Sequence, residues 1–152
     1  MNDKIKKQLG ILRQQEKELS ALYRHIAIKF GISDNEFRVL YALMISNGEY
    51  TQQSISSMWS LPKQTVNSVI ANLTKKGYVY LEAIPGTRNR KIIRLTDAGK
   101  EFGKNNVLHT YEAEQRAISK MSEVEIQTCV EILGKYIYLL REEFAGKLAC
   151  EV

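Results

Sequence analysis

The chain has 152 residues, of which 44% are apolar and 26% charged, and its net charge is +5. This is the length and composition of one soluble globular domain with a core of its own. No run approaches the roughly 18 apolar residues that a membrane span requires. The first ten residues, MNDKIKKQLG, lack the apolar segment of a signal peptide, so we expect a cytoplasmic protein without a membrane partner.

Positive charge is concentrated in the middle of the chain. Residues 62–94 contain seven Lys and Arg residues against the single acid Glu82, which gives a net charge of +6. Residues 1–61 carry +2 and residues 95–152 carry −3. An ordinary solvated face would be mixed in sign, so this concentration predicts a surface that binds a polyanion.

The first third of the chain predicts two helices. Apolar residues recur at helical spacing from about Lys4 to Phe30, and Gly31 is expected to end this long amphipathic helix. Ser33 and Glu36 have the spacing of a capping box, which predicts the start of a second helix that stops at 47–48.

The segment TQQSISSMWSLPKQTVNSVIANLTKK, residues 51–76, predicts a helix-turn-helix. Thr51 is a suitable N-cap, and Pro62 is expected at the first position of the second helix. Trp59 takes an aliphatic position of the pattern and is interpreted as packing. The second helix has one apolar stripe, formed by Val66, Val69, Ile70 and Leu73. An ordinary helical hairpin with a polar outer face is the alternative at this point.

The opposite face of that second helix has the chemistry of a DNA reader. No acidic residue occurs between Pro62 and Val79. Amides, hydroxyls and ammonium groups suit base edges and phosphates. The candidate DNA-binding residues on this helix are Lys63, Gln64, Thr65, Asn67 and Ser68.

After Gly77 the apolar period changes from 3.6 to 2, which predicts a β-hairpin over residues 78–83 and 91–95. Pro85 and Gly86 suit the central positions of a type II turn. A basic hairpin directly after a helix-turn-helix is typical of a wing. Its candidate DNA-binding residues are Arg88, Asn89, Arg90 and Lys91.

Two further helices are expected after the hairpin. One begins at Thr96 and runs to about Ile118 with an irregularity near residues 105–106, and the last begins at Ser122. The last helix has a long apolar stripe that ends near Leu148. The stripe includes Cys129, which we expect to be a small core residue. Both terminal helices are too long to cover the core of a monomer. We therefore expect a two-fold dimer, with a monomeric bundle as the alternative.

Metal and catalytic sites are not indicated. His25 and His109 have no partners at metal-ligand spacing, and no catalytic triad, phosphate loop or paired carboxylates stand out. Cys129 and Cys150 would lie about 30 Å apart on one helix and cannot form a bridge within the chain. We expect no cofactor, no metal and no enzymatic activity.

Taken along its whole length, the chain resembles the MarR family of bacterial transcriptional regulators. The resemblance rests on GISDNEFRVLYAL, the segment from Thr51 to Val79, the basic wing, and IRLTDAGKEF directly after it. It implies a homodimer with one winged helix-turn-helix per subunit, which binds a palindromic operator and is often released by a small phenolic or anionic ligand. Many members have Asp-x-Arg where this chain has Thr87-Arg88-Asn89, which leaves open the arginine that enters the minor groove. The reactive cysteine that peroxide-sensing members carry in the first helix is absent.

The fold class expected is mainly α (α+β). Within a single domain, residues 33–96 would form the winged DNA-binding unit, and residues 1–32 and 97–152 the dimerisation region. The expected function is a ligand-responsive repressor that binds double-stranded DNA. The alternative is a winged-helix module that binds protein and does not read DNA. Tyr23, His25 and Tyr111 are the candidate effector-binding residues, although they suit a core equally well.

Overall fold

The computed structural model of the chain describes residues 2–46 and 48–148. Of the residues that the structure describes, 74% are helical, and one small antiparallel sheet accompanies them, as the fold class predicted. The elements in chain order are α1 (Asp3–Lys29), α2 (Asp34–Ile45), β1 (Tyr50–Thr51), α3 (Gln52–Trp59), α4 (Lys63–Lys75), β2 (Val79–Ala83), β3 (Lys91–Leu95), α5 (Asp97–Phe102), a π-helical turn (Gly103–Val107), α6 (Leu108–Ile118) and α7 (Glu123–Leu148).

The chain divides into two compact units, Met1–Tyr111 and Glu112–Val152. The core of the first unit is built from the inward faces of α1–α4, the wing strands and the π-helical turn. Its largest fully buried side chains are Leu40, Ile55, Ile70, Leu73, Val39, Val66, Val79 and Val107. Burial of each such side chain stabilises the fold by about 1.5–3 kcal/mol. The four predicted stripe residues of α4 are all buried, which confirms the expected stripe.

Side-chain caps determine where α2 and α3 begin. The Ser33 hydroxyl accepts from the backbone N–H of Glu36, and the Glu36 carboxylate accepts from Ser33 N–H at 2.7 Å. Thr51 and Ser54 form the same reciprocal pair at the start of α3. Both predicted N-caps are therefore confirmed. Each cap contributes roughly 1 kcal/mol by satisfying donors that the first helical turn leaves free.

The turn between α3 and α4 differs from the sequence expectation at one position. Pro62 is the N-cap of α4, with extended backbone (ψ 142°), and not the first helical residue. The turn reverses at Ser60, whose φ of 49° is left-handed. The Ser56 hydroxyl donates to the Leu61 carbonyl at 2.6 Å, which stabilises the tight connection.

The sheet has three strands in the order β1-β3-β2, and its first strand was not predicted. β1 has only two residues, Tyr50 and Thr51, which pair with Ile93 and Ile92 of β3. So short a strand has no detectable alternation in sequence. The hairpin between β2 and β3 has the expected type II geometry, because Gly86 has a φ of +76° and Thr87 N–H donates to the Ile84 carbonyl at 3.3 Å.

The segment after the wing locks against the end of α4. The Thr96 hydroxyl caps α5 at Gly99 N–H and donates to the Gly77 carbonyl at 2.5 Å. A Cβ at Gly99 would overlap the Tyr78 carbonyl oxygen, so only glycine permits this approach. The irregularity predicted near residues 105–106 is present as the π-helical turn Gly103–Val107.

In the second unit, α7 starts at the predicted cap. The Ser122 hydroxyl accepts from Glu125 N–H, and the Glu125 carboxylate accepts from Ser122 N–H, which lowers the pKa of Glu125. The apolar residues of α7 are largely exposed, including Val130, Ile132, Leu133, Ile137, Tyr138, Leu139 and Phe144. Cys129 is exposed too, which corrects its expected place in the core of the chain. Cys150 and the Leu148 side chain lie outside the described residues.

Across residues 2–46 and 48–148, no helix combines the length and the apolar character that crossing a membrane requires.

Candidate nucleic-acid interface

The outward face of α4 presents most of the predicted reading residues. The buried stripe of α4 turns toward the core, which leaves Lys63, Gln64, Asn67 and Ser68 exposed and Thr65 half-buried. Helical geometry places these side chains along one side of the helix. Together they present an ammonium group, two amides and two hydroxyls to solvent.

The Ser68 hydroxyl is already engaged within its own helix. It donates to the Gln64 carbonyl one turn earlier at 3.0 Å. A hydroxyl has one proton and two acceptor positions, so Ser68 keeps only its acceptor capacity toward a ligand. Gln64 and Asn67 therefore provide the versatile donors and acceptors of this face.

The wing tip places its polar residues in solvent on a closed loop. Ile84 N–H donates to the Arg90 carbonyl at 3.0 Å, which continues the hairpin pairing beyond the two strands. Asn89 has a φ of 67°, a left-handed conformation that asparagine tolerates better than most residues. Arg88, Asn89, Arg90 and Lys91 are all exposed.

An open groove of about 240 Å³ joins α4 to the wing. Among its lining residues, Lys63 and Asn67 come from α4, and Asn89, Arg90 and Lys91 come from the wing. The structure thus brings five of the predicted site residues together. Gln64, Thr65, Ser68 and Arg88 do not line the groove.

The start of α3 completes the groove with residues that the sequence interpretation missed. Thr51, Gln52 and Gln53 form the remaining part of its lining. The signal was present in the sequence, since two amides directly follow an N-cap threonine. Only the crossing of α3 with the wing strand β3 shows that these amides lie beside the wing cations.

The free positive charge of residues 62–94 is smaller than the sequence count. Lys76 lies 3.0 Å from Glu36, and Arg94 lies 2.6 Å from Glu49 and 2.7 Å from Glu82. The remaining cations form no ion pair within the described part of the chain; they are Lys63, Lys75, Arg88, Arg90 and Lys91. Four of these five belong to the α4 face or wing tip proposed from the sequence, and no acidic residue lines the groove.

The candidate effector residues occupy two different environments. Half-buried Tyr23 and Tyr111 lie at the ends of a run of neighbouring rings that continues through Phe37 and Tyr41, with centroids 5.9–6.4 Å apart. His25 is exposed on α1 and does not contribute to this run. The geometry of Tyr23 and Tyr111 is that of packed core aromatics at the edge of the first unit.

Metal ligation has no structural support in the residues described. No group of three or more His, Cys, Asp or Glu side chains there is close enough to hold a metal ion.

One family model matches the part of the chain that contains the winged unit. The family model described as "Sugar-specific transcriptional regulator TrmB" matches residues 26–98. The phenylalanine–tRNA ligase alpha subunit of Metallosphaera sedula is 39% identical over 69 residues, 45% of this chain. Those residues span only 14% of that ligase subunit. The similarity to the ligase is therefore confined to one segment and does not extend to the enzyme as a whole.

Solved structures match the chain over most of its length. A MarR family regulator from Neisseria meningitidis has a TM-score of 0.79 and 22% identity, with 97% of this chain and 99% of that chain covered. MepR of S. aureus, solved as a complex with DNA, has a TM-score of 0.70 and 24% identity over 86% of this chain and 95% of its own.

A third structure, NadR in complex with 4-hydroxyphenylacetate, has a TM-score of 0.68 and 18% identity over 82% of this chain and 88% of its own. The matched structures from Neisseria meningitidis, S. aureus and Acinetobacter are those of transcriptional regulators. The chain therefore has the winged helix-turn-helix fold of the MarR family regulators, as its sequence resemblance indicated.

Proposed function

We propose that the chain is a MarR family transcriptional regulator that binds double-stranded DNA sequence-specifically as a homodimer. The groove between α4 and the wing carries this proposal. It places the α4 residues Lys63 and Asn67 beside the wing cations Arg90 and Lys91 on a surface without an acidic lining residue. Cations that lack protein partners bind phosphates, and neighbouring amides distinguish base edges.

A dimer would allow the two α4 helices to enter successive major grooves about 34 Å apart, which suits a palindromic operator. The exposed apolar residues support such an assembly. Leu12 is 47% exposed on α1, and Leu133 and Phe144 are 54% and 59% exposed on α7. Exposed apolar patches of this kind are typical of protein interfaces.

We further propose that the protein acts in the cytoplasm as a repressor that a small phenolic or anionic ligand releases from DNA. The NadR structure contains a phenolic acid, and this chain shares its fold. Tyr23, His25 and Tyr111 remain the candidate contacts. The half-buried rings of Tyr23 and Tyr111 suit an aromatic ligand better than the exposed His25 does.

The alternative function is a winged-helix module that binds another protein. The three unpaired lysines, Lys63, Lys75 and Lys91, argue against this function, because protein interfaces are depleted of lysine. The MarR family regulators from Neisseria meningitidis and Acinetobacter, which share the fold, are transcriptional regulators, which fits a protein that is not an enzyme.

A salt titration of binding to a random 30-base-pair duplex distinguishes the two functions. A DNA-binding protein should lose affinity steeply as salt rises, with a log–log slope of about −0.9 for each phosphate that it neutralises. The double variant Arg88→Ala/Arg90→Ala should flatten that slope by roughly two units.

The matched control for this experiment is Lys104→Ala/Lys120→Ala, which removes two exposed cations outside the groove and the wing. A wild-type protein with no salt-dependent binding, or a control that flattens the slope equally, would contradict the proposal. Selection of bound fragments from random DNA would then define the operator, and a ligand screen on that operator would test release.

A further inference from the structure

We propose that Arg94 positions the wing for DNA binding and does not itself contact phosphate. This inference rests on the proposed DNA-binding function. Arg94 belongs to the positive patch in the sequence count, but its guanidinium is divided between two carboxylates. Its Nε donates to Glu82 at 2.7 Å and its Nη2 donates to Glu49 at 2.6 Å.

The sheet order explains why this arginine reaches both acids. Arg94 lies on β3, the central strand, and Glu82 lies on β2 at its side. Glu49 directly precedes β1, the strand on the other side of β3. One side chain thus connects the hairpin of the wing to the segment that leads into α3.

The chemistry requires arginine and not merely a positive charge. A guanidinium presents several N–H donors in a rigid plane, so two of them can point to two separate carboxylates. The carboxylates also raise the pKa of Arg94, because they accept its hydrogen bonds, Glu82 first and Glu49 second. An ammonium group carries its three N–H donors on one nitrogen and lacks the planar fork, so it does not reproduce this arrangement.

The consequence for DNA binding is geometric. β1 has only two residue pairs with β3, so few backbone hydrogen bonds hold the wing strand to the start of α3. Thr51, Gln52 and Gln53 at that start face Asn89, Arg90 and Lys91 across the groove. The Glu49–Arg94–Glu82 network therefore controls the separation between the start of α3 and the wing tip, which form two walls of the groove. The single positive charge of Arg94 also offsets one of the two negative charges on Glu49 and on Glu82 of the wing strand β2, which reduces their repulsion of phosphate.

The test compares Arg94→Lys and Arg94→Met with Arg88→Met, which removes an unpaired tip cation. Binding to a random duplex is measured from low to high salt. We expect both Arg94 variants to lose about 3- to 10-fold in affinity with a salt slope within half a unit of wild type. Arg88→Met should flatten the slope by roughly one unit.

Amide hydrogen exchange provides the second readout. In free protein, amide exchange at Tyr50 and Ile84 should accelerate in both Arg94 variants and stay unchanged in Arg88→Met. The inference is overturned if Arg94→Lys binds like wild type, or if Arg94→Met flattens the slope as Arg88→Met does. Absence of any salt-dependent binding by wild type would instead refute the proposed function, while exchange would still report on the network.

Discussion

The ammonium group of Lys76 lies 3.0 Å from both carboxylate oxygens of Glu36, and it also donates to the Gly31 carbonyl at 3.3 Å. Lys76 is the C-cap of α4, and Glu36 is in the first turn of α2. The end of the proposed recognition helix is thus held at the corner where α1 passes into α2. This contact converts a cation of the basic patch into a structural one.

The first prediction concerns the stability of this corner at low pH. Burial raises the pKa of Glu36, but hydrogen bonds from Ser33 and Lys76 outweigh burial and lower the pKa below its ordinary value of 4.5. A depressed pKa means that the stabilisation is present above pH 4.5 and is lost as the pH falls through the lower native pKa.

Glu36→Gln should therefore lower the free energy of unfolding by roughly 1–3 kcal/mol at pH 7 and reduce its decline in acid. Urea unfolding at several pH values measures both effects. Asp97→Asn, which removes a fully exposed carboxylate paired with Lys100, is the control and should leave the acid dependence nearly unchanged. If the two variants changed the stability and its acid dependence equally, the proposed role of Glu36 in holding this corner would be contradicted.

A second prediction compares two glycines in the segment after the wing. A Cβ at Gly99 would meet the rigid Tyr78 backbone, whereas a Cβ at Gly103 would meet only the flexible side chain of Met44. Gly99→Ala should therefore destabilise the protein by about 1–3 kcal/mol or more, and Gly103→Ala by less. Thermal unfolding of both variants tests the order, and a reversed order would show that this packing is misassigned.

The third prediction assigns different tasks to α4 and the wing on DNA. Gln64→Ala or Asn67→Ala should cost about 1–3 kcal/mol on the selected operator and little on random duplex, because amides distinguish base edges. Arg88→Ala or Arg90→Ala should weaken binding to any duplex and flatten the salt slope by roughly one unit each.

Parallel titrations on operator and random DNA measure this division. An arginine in a narrow minor groove would add a modest preference for A·T-rich flanks, which is compatible with the assignment. Amide variants that weaken all DNA equally, or wing variants with an unchanged slope, would reverse it.

A fourth prediction concerns assembly through the helical ends of the chain. Truncation after Lys135 removes the exposed residues Ile137, Tyr138, Leu139 and Phe144 and should abolish the dimer together with tight operator binding. Sedimentation measures the mass. Glu142→Gln, an exposed polar change on the same helix, should leave the dimer intact. A truncated protein that stays dimeric would disprove this interface.

The fifth prediction concerns the cysteines. Cys129 is exposed in the single chain, so a role in the core no longer explains it. In the double variant Cys129→Ser/Cys150→Ser, the effector should still release the protein from DNA. Peroxide should have no effect on DNA binding. A wild-type peroxide response that the double variant lacks would establish redox sensing.

Local rules explain why much of the first unit was predictable from sequence. The capping box at Ser33 and Glu36, the Thr51 cap and the apolar stripe of α4 each depend on residues within one or two helical turns. The hairpin turn at Pro85 and Gly86 is equally local. Such patterns determine the elements and their inward faces without knowledge of the fold.

Tertiary structure alone decided which polar residues remain available to a ligand. Arg94 and Lys76 count as free cations in the sequence, but Glu49 and Glu36, which lie 45 and 40 residues away from them, neutralise them in the structure. The contribution of Gln52 and Gln53 to the groove likewise depends on a crossing of α3 with β3. Contacts between distant segments depend on how the elements pack, and no local pattern encodes that geometry.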